Sequence, residues 1–133
     1  AVILKFGVGP SSIADYLGLV GDSADGFPGL QGWGAKSAST VLAKYQLIDN
    51  IPDDHNQWVA DGVGVRGAEK LATTLRGNRK DAALFKQLAT LITDVPVGDV
   101  GDWLWSGPTD RFESVATQLG APQLIERLSR LKK

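Results

Sequence analysis

Apolar residues recur at helical spacing along most of this chain. Ile13, Tyr16, Leu17 and Val20 fall at i, i+3, i+4 and i+7, one face of a helix that Pro10 and its serines open and Gly21 closes. Ala38, Val41, Leu42 and Tyr45 repeat the spacing, with Lys36, Thr40 and Lys44 on the opposite face. Ala68, Leu71, Ala72 and Leu75 do so again after a second glycine-flanked stretch, Val63-Gly64-Val65-Arg66-Gly67. Leu84, Phe85, Leu88, Leu91 and Ile92 form a further stripe, stopped by Asp94-Val95-Pro96. Phe112, Val115, Ala116 and Leu119 predict a helix that Asp110 and Glu113 would cap as a capping box. Leu124, Ile125, Leu128 and Leu131 predict a last one, with Arg127, Arg130, Lys132 and Lys133 toward its C-terminus. Between them, Leu47 to Pro52 read as a short turn, Asp53 to Trp58 as a polar loop, and Ala1 to Pro10 as the end of a helix or linker. The expected fold is all-α, about six or seven helices in a single domain over residues 1–133, with no convincing sheet.

Composition narrows this only a little. The chain has 133 residues and 43% hydrophobic content, enough for a core. It has no cysteine, which excludes disulfides and thiolate metal sites and fits a cytoplasmic location. No apolar run is long enough to span a membrane. Its net charge is −1, so any binding to a polyanion rests on a local patch. With no methionine and Ala1 in first place, the chain is expected to be a piece of a longer protein or a processed product.

The chemistry concentrates in Gly21-Asp22-Ser23-Ala24-Asp25-Gly26-Phe27-Pro28-Gly29-Leu30-Gln31-Gly32-Trp33-Gly34-Ala35-Lys36-Ser37-Ala38. Two carboxylates on one short loop suit a hard, oxygen-seeking cation, and equally suit the local capping that loop aspartates perform. A glycine turn follows and runs into a helix. The first turn of a helix leaves N–H groups unpaired, and with the helix dipole these favour an anion. Lys36 in that turn opposes the dipole, which an anion would offset. Glycine-x-glycine-x-lysine after a turn marks a helix-hairpin-helix, here at about residues 11–45, a device that holds nucleic-acid backbone without reading bases. The alternative is a plain helix–turn–helix joint.

Taken together, Gly21 to Gly29 and Gly32 to Ala38 resemble the 5′ nuclease family, which includes bacterial 5′–3′ exonucleases, the 5′ nuclease domains of bacterial repair DNA polymerases, and flap endonucleases. The resemblance runs on to Leu91-Ile92-Thr93-Asp94-Val95-Pro96. Gly26, Trp33 and Ile92 depart from the family's usual asparagine, small aliphatic and basic residues. The resemblance implies the C-terminal, helix–three-turn–helix part of such an enzyme, with a catalytic α/β domain expected before Ala1. It implies that Asp22 and Asp25 help hold a divalent metal, Mg2+ or Mn2+, in a site that the other domain completes. It implies that Gly29, Gly32, Trp33, Gly34, Lys36 and Ser37 form the hairpin that binds duplex or junction DNA and a potassium ion (K+). The implied function is metal-dependent phosphodiester hydrolysis in DNA replication and repair, the chain itself holding no complete catalytic set. The alternatives are a stand-alone, non-catalytic helix-hairpin-helix module and a purely structural helical domain.

From Arg66 to Lys86 six basic residues stand against two acidic ones, a local charge of +4. Arg66 and Lys70 are candidates for a second phosphate contact, while Arg76 to Lys80 fit a solvated helical hairpin equally well. His55 has no base or nucleophile partner in sight and reads as a surface residue. Trp103 and Trp105 sit beside Asp99 and Asp102 with no cation near them in sequence. Packing onto helices is therefore expected of them, rather than base stacking.

Overall fold

A computed structural model describes residues 1–131, with side chains through Arg130; Lys132, Lys133 and the side chain of Leu131 lie outside the described residues. The chain divides into two compact units, Ala1–Thr93 and the part from Asp94 on. Among the described residues the regular structure is helical, with only one isolated bridge, Asp22 to Phe27, of β type.

The first unit holds α1 (Val2–Phe6), α2 (Ile13–Val20), α3 (Ala35–Tyr45), α4 (His55–Ala60), α5 (Ala68–Gly77) and α6 (Arg79–Leu88), with 3-10 turns at Pro10–Ser12 and Ile48–Asn50. Its core gathers Leu19, Val41, Leu42, Ile51, Trp58 and Leu75, all essentially excluded from solvent. α3 and α5 bury the stripes their spacing predicts. α2 is rotated from its expected face: Leu19, Asp15 and Gly18 are buried along with Tyr16, because α2 is flanked by α3 on one side and α6 on the other.

α6 departs from its leucine stripe. It ends at Leu88, and Leu84, Leu88, Leu91 and Ile92 are exposed. Its inward side is Ala82, with Phe85 and Lys86 half-buried. The neighbour explains this. A Cβ on Gly18 of α2 would stand 3.1 Å from both Ala82 O and Lys86 N, so the two backbones pass too closely for leucine between them. Asp15 supplies the polar contact there. It is 1% exposed, pairs with Lys86 Nζ at 2.8 Å, and accepts the Ile48 N–H at 2.8 Å. A buried carboxylate so paired and hydrogen-bonded escapes the cost of an orphan charge.

The polar stretch before Trp58 is a helix, not a loop. Asp54 caps α4 by accepting the Asn56 N–H at 2.9 Å, and that bond lowers its pKa from the usual carboxylate value. Trp58 is fully buried and donates Nε1–H to Pro52 O at 2.8 Å. His55, half-buried, opens that helix.

The second unit holds a 3-10 turn (Val100–Trp103), α7 (Phe112–Gln118) and α8 (Gln123–Leu131). The expected Asp110–Glu113 capping box does not form: Arg111 precedes α7 without a side-chain cap, and the Phe112 N–H is satisfied by Thr109 O instead. Nor do the tryptophans pack away: Trp103 and Trp105 are 70% and 66% exposed, Trp103 donating Nε1–H to Val97 O.

Candidate nucleic-acid interface and acidic loop

α2 ends at Gly21, whose N–H returns to Leu17 O at 2.7 Å. The chain then closes a small loop. Asp22 N–H donates to Phe27 O at 2.9 Å, and Phe27 N–H to Asp22 O at 3.1 Å. Buried Phe27 stacks on Phe85 at 5.8 Å between centroids and pins the loop to α6. Within it, Asp22 Oδ1 accepts the Ala24 and Asp25 N–H groups at 2.9 and 3.4 Å. The other Asp22 oxygen and the exposed Asp25 carboxylate accept no hydrogen bond among the described residues. Both aspartates therefore keep oxygen atoms open to a hard cation. No group of three or more acidic, His or Cys side chains suited to a metal occurs among the described residues, so the pair is at most part of a metal shell.

Leu30 N–H then donates to Leu19 O at 2.8 Å and lays the chain back on α2. Gly29 makes this approach possible. It has φ 70°, and a Cβ there would stand 2.3 Å from Gly21 N, so its part is steric. Gly32, at φ 85°, has open space where its Cβ would be.

Gly34 precedes α3 in an extended conformation. Its N–H is taken by Ser37 Oγ at 3.0 Å, and that hydroxyl donates back to Gly34 O. The Gly34 amide is therefore not free for an anion. The N–H groups of Gly32, Ala35, Lys36 and Ser37 have no acceptor among the described residues. A glycine at the cap position brings no side-chain oxygen to cover the first turn. Lys36 is exposed in that turn and makes no ion pair among the described residues.

A groove of about 700 Å³ opens at this helix start. One wall is Gly32, Gly34 and Ala35 with Lys36, Ser37 and Thr40; the other is Gly64, Val65 and Arg66, with Leu71. Trp33 lies in the core, 6% exposed. Its Nε1–H donates to Leu71 O at 3.3 Å and its ring meets Trp58 edge-on at 6.1 Å. It braces the two walls and offers little surface of its own.

The basic stretch sorts into two kinds. Arg79 pairs with Asp53 at 2.7 Å and donates to the Ile48 and Ile51 carbonyls. Lys86 pairs with Asp15 and Asp49. Both are structural cations. Arg66 and Lys70 are exposed without ion pairs among the described residues, and only Arg66 lines the groove. Asp15 and Trp58 were missed in the sequence. The one available signal for Asp15 was a carboxylate set within an otherwise apolar helix.

Comparison with known proteins matches this chain to a family. A family model described as 5′–3′ exonuclease, C-terminal SAM fold, matches residues 8–111. DNA polymerase I of Pseudomonas aeruginosa is 37% identical over 120 residues, which is 84% of this chain and 12% of that protein. DNA polymerase I of Bacillus caldotenax is 35% identical over 131 residues, 96% of this chain and 14% of that protein. A 5′–3′ exonuclease of Aquifex aeolicus is 37% identical over 97 residues, 72% of this chain and 29% of that protein. This chain thus spans only a minor part of the length of these relatives.

Proposed function

The chain belongs to the 5′–3′ exonuclease family, as its C-terminal SAM-fold domain, and from that premise we propose that it is the DNA-holding part of a metal-dependent 5′–3′ exonuclease acting in cytoplasmic replication and repair. The observation that carries this reading is the start of α3. There, Ala35, Lys36 and Ser37 line one groove, their N–H groups have no acceptor among the described residues, and the Lys36 side chain is exposed. Such a site holds a phosphate through backbone amides and charge, with no contact to a base edge. α2, the glycine turn and α3 then act as a helix-hairpin-helix on duplex or junction DNA. Gly29, Gly34 and Ser37 shape the turn, Gly32 adds an open amide, and Trp33 stiffens it from beneath. Arg66 and Lys70 supply further positive charge.

Asp22 and Asp25 fit a share in a divalent site, because both present unengaged carboxylate oxygens on one loop. The remaining ligands would come from outside the described residues. Mg2+ or Mn2+ bound there would supply Lewis-acid stabilisation of phosphodiester oxygens. The chain's own part is to present the two carboxylates, with Asp22 oriented by its two backbone N–H donors. A K+ ion would be held by carbonyls of the Gly29–Gly34 turn, and anomalous scattering from a crystal grown in thallium(I) would test it.

The experiment for the main reading is Lys36→Ala. Duplex binding should weaken similarly across sequences, as the loss of a backbone contact does. Unchanged binding, or loss for one sequence only, would overturn the reading.

A further inference from the structure

We infer that the groove is one phosphate clamp, in which Lys36 and Arg66 close on the same phosphate of a single strand. This rests on the DNA-holding reading and adds which residues share a ligand. The sequence treats the two cations as separate contacts, at the starts of two different helices. The fold brings them to one cavity of about 700 Å³, Lys36 on the α3 wall and Arg66 on the wall before α5. The walls cannot drift apart freely, because Trp33 spans them with its bond to Leu71 O. Neither cation has an ion-pair partner among the described residues, in contrast to Arg79 and Lys86 of the same basic stretch. Between them the groove offers Val65 and Leu71 as apolar surface. A phosphate flanked by a sugar matches that mixture: an anion for the two cations, and carbon for the floor. Lys70 stands outside the groove and is not part of the clamp.

The test combines two readouts on the full 133-residue chain. First, salt dependence of duplex binding is measured for Lys36→Ala, Arg66→Ala and the double variant. Two cations on one phosphate neutralise one charge, so the double variant should lose about 1 from the salt slope, against about 2 for cations on separate phosphates. Second, a duplex set is used in which one linkage at a time is a neutral methylphosphonate. The same linkage should abolish the effect of both single variants. A slope loss of about 2, or two different silent linkages, would overturn the clamp and leave Lys36 as an anchor. Failure of Lys36→Ala to weaken binding at all would instead overturn the DNA-holding reading itself. Both variants replace exposed side chains, and an unchanged thermal midpoint checks that each is folded.

Discussion

Glycines of one loop do different work, and the difference is measurable residue by residue. Gly29 and Gly32 both have positive φ, at 70° and 85°. At Gly32 a methyl group meets nothing, so Gly32→Ala carries only the left-handed backbone cost, about 1 kcal/mol. At Gly29 the same methyl would lie 2.4 Å from Val20 C and 2.7 Å from Leu19 O, atoms of backbone that cannot rotate away. Gly29→Ala must therefore break the return of the loop onto α2 and should cost on the order of 3 kcal/mol or more. Urea midpoints of the two variants check this; equal, small losses would mean that the loop can lift off α2 without penalty. Trp33 belongs to the same scale. Its ring is buried beside the groove and gives its N–H to Leu71 O, the partner a buried indole needs.

Elements are joined here by a few polar ties placed across an apolar core. Tyr45 at the end of α3 donates to Asp61 Oδ2 at 2.9 Å, and Gln57 of α4 donates to the other Asp61 oxygen. Burial, then the hydrogen bond to Asp61 and its charge, push the Tyr45 hydroxyl up to about 12. A folded-state pKa above the ordinary value near 10 means that this tie contributes fully below about pH 10 and is lost as pH climbs toward 12. Lys86 acts in the same direction. Burial pulls its pKa down, but the bond and charge of Asp15, joined by Asp49, outweigh this and leave it raised. Stability should thus hold from neutral pH to about 10 and then fall, and Tyr45→Phe should remove part of that fall. Urea midpoints across this range, with tyrosinate absorbance in parallel, decide it; an identical alkaline fall in the variant would remove Tyr45 from the account. These ties also mark where sequence reading stopped. α3 and α5 were legible because each packs a leucine and alanine stripe against the core. α4 was not, since six residues with one buried anchor, Trp58, carry no periodicity. α6 was misread because its partner is Gly18, so alanine goes inward and leucine outward.

At the scale of the whole molecule, the charge balance decides what the chain does alone. The acid pair and the α3 start were both legible in sequence, since each is a local motif. That Arg66 and Lys36 line one groove was not, because it follows only from the fold, in which Trp33 reaches Leu71 of α5. In a chain of net charge −1, Asp22 and Asp25 repel a DNA backbone whenever no cation sits between them. Replacing both with asparagine should therefore leave binding unchanged or tighten it in chelator, and should remove any strengthening that Mg2+ brings to the parent chain. Cleavage is a stricter demand. Activating water and stabilising the leaving oxygen takes metal ions held by a full ligand set, and two carboxylates with no third acidic, His or Cys ligand beside them among the described residues do not make one. The 133-residue chain should bind a flapped or nicked duplex and leave it intact in Mg2+ or Mn2+. Efficient cutting that disappears in the Asp22→Asn, Asp25→Asn variant would show that this unit carries a complete catalytic site after all.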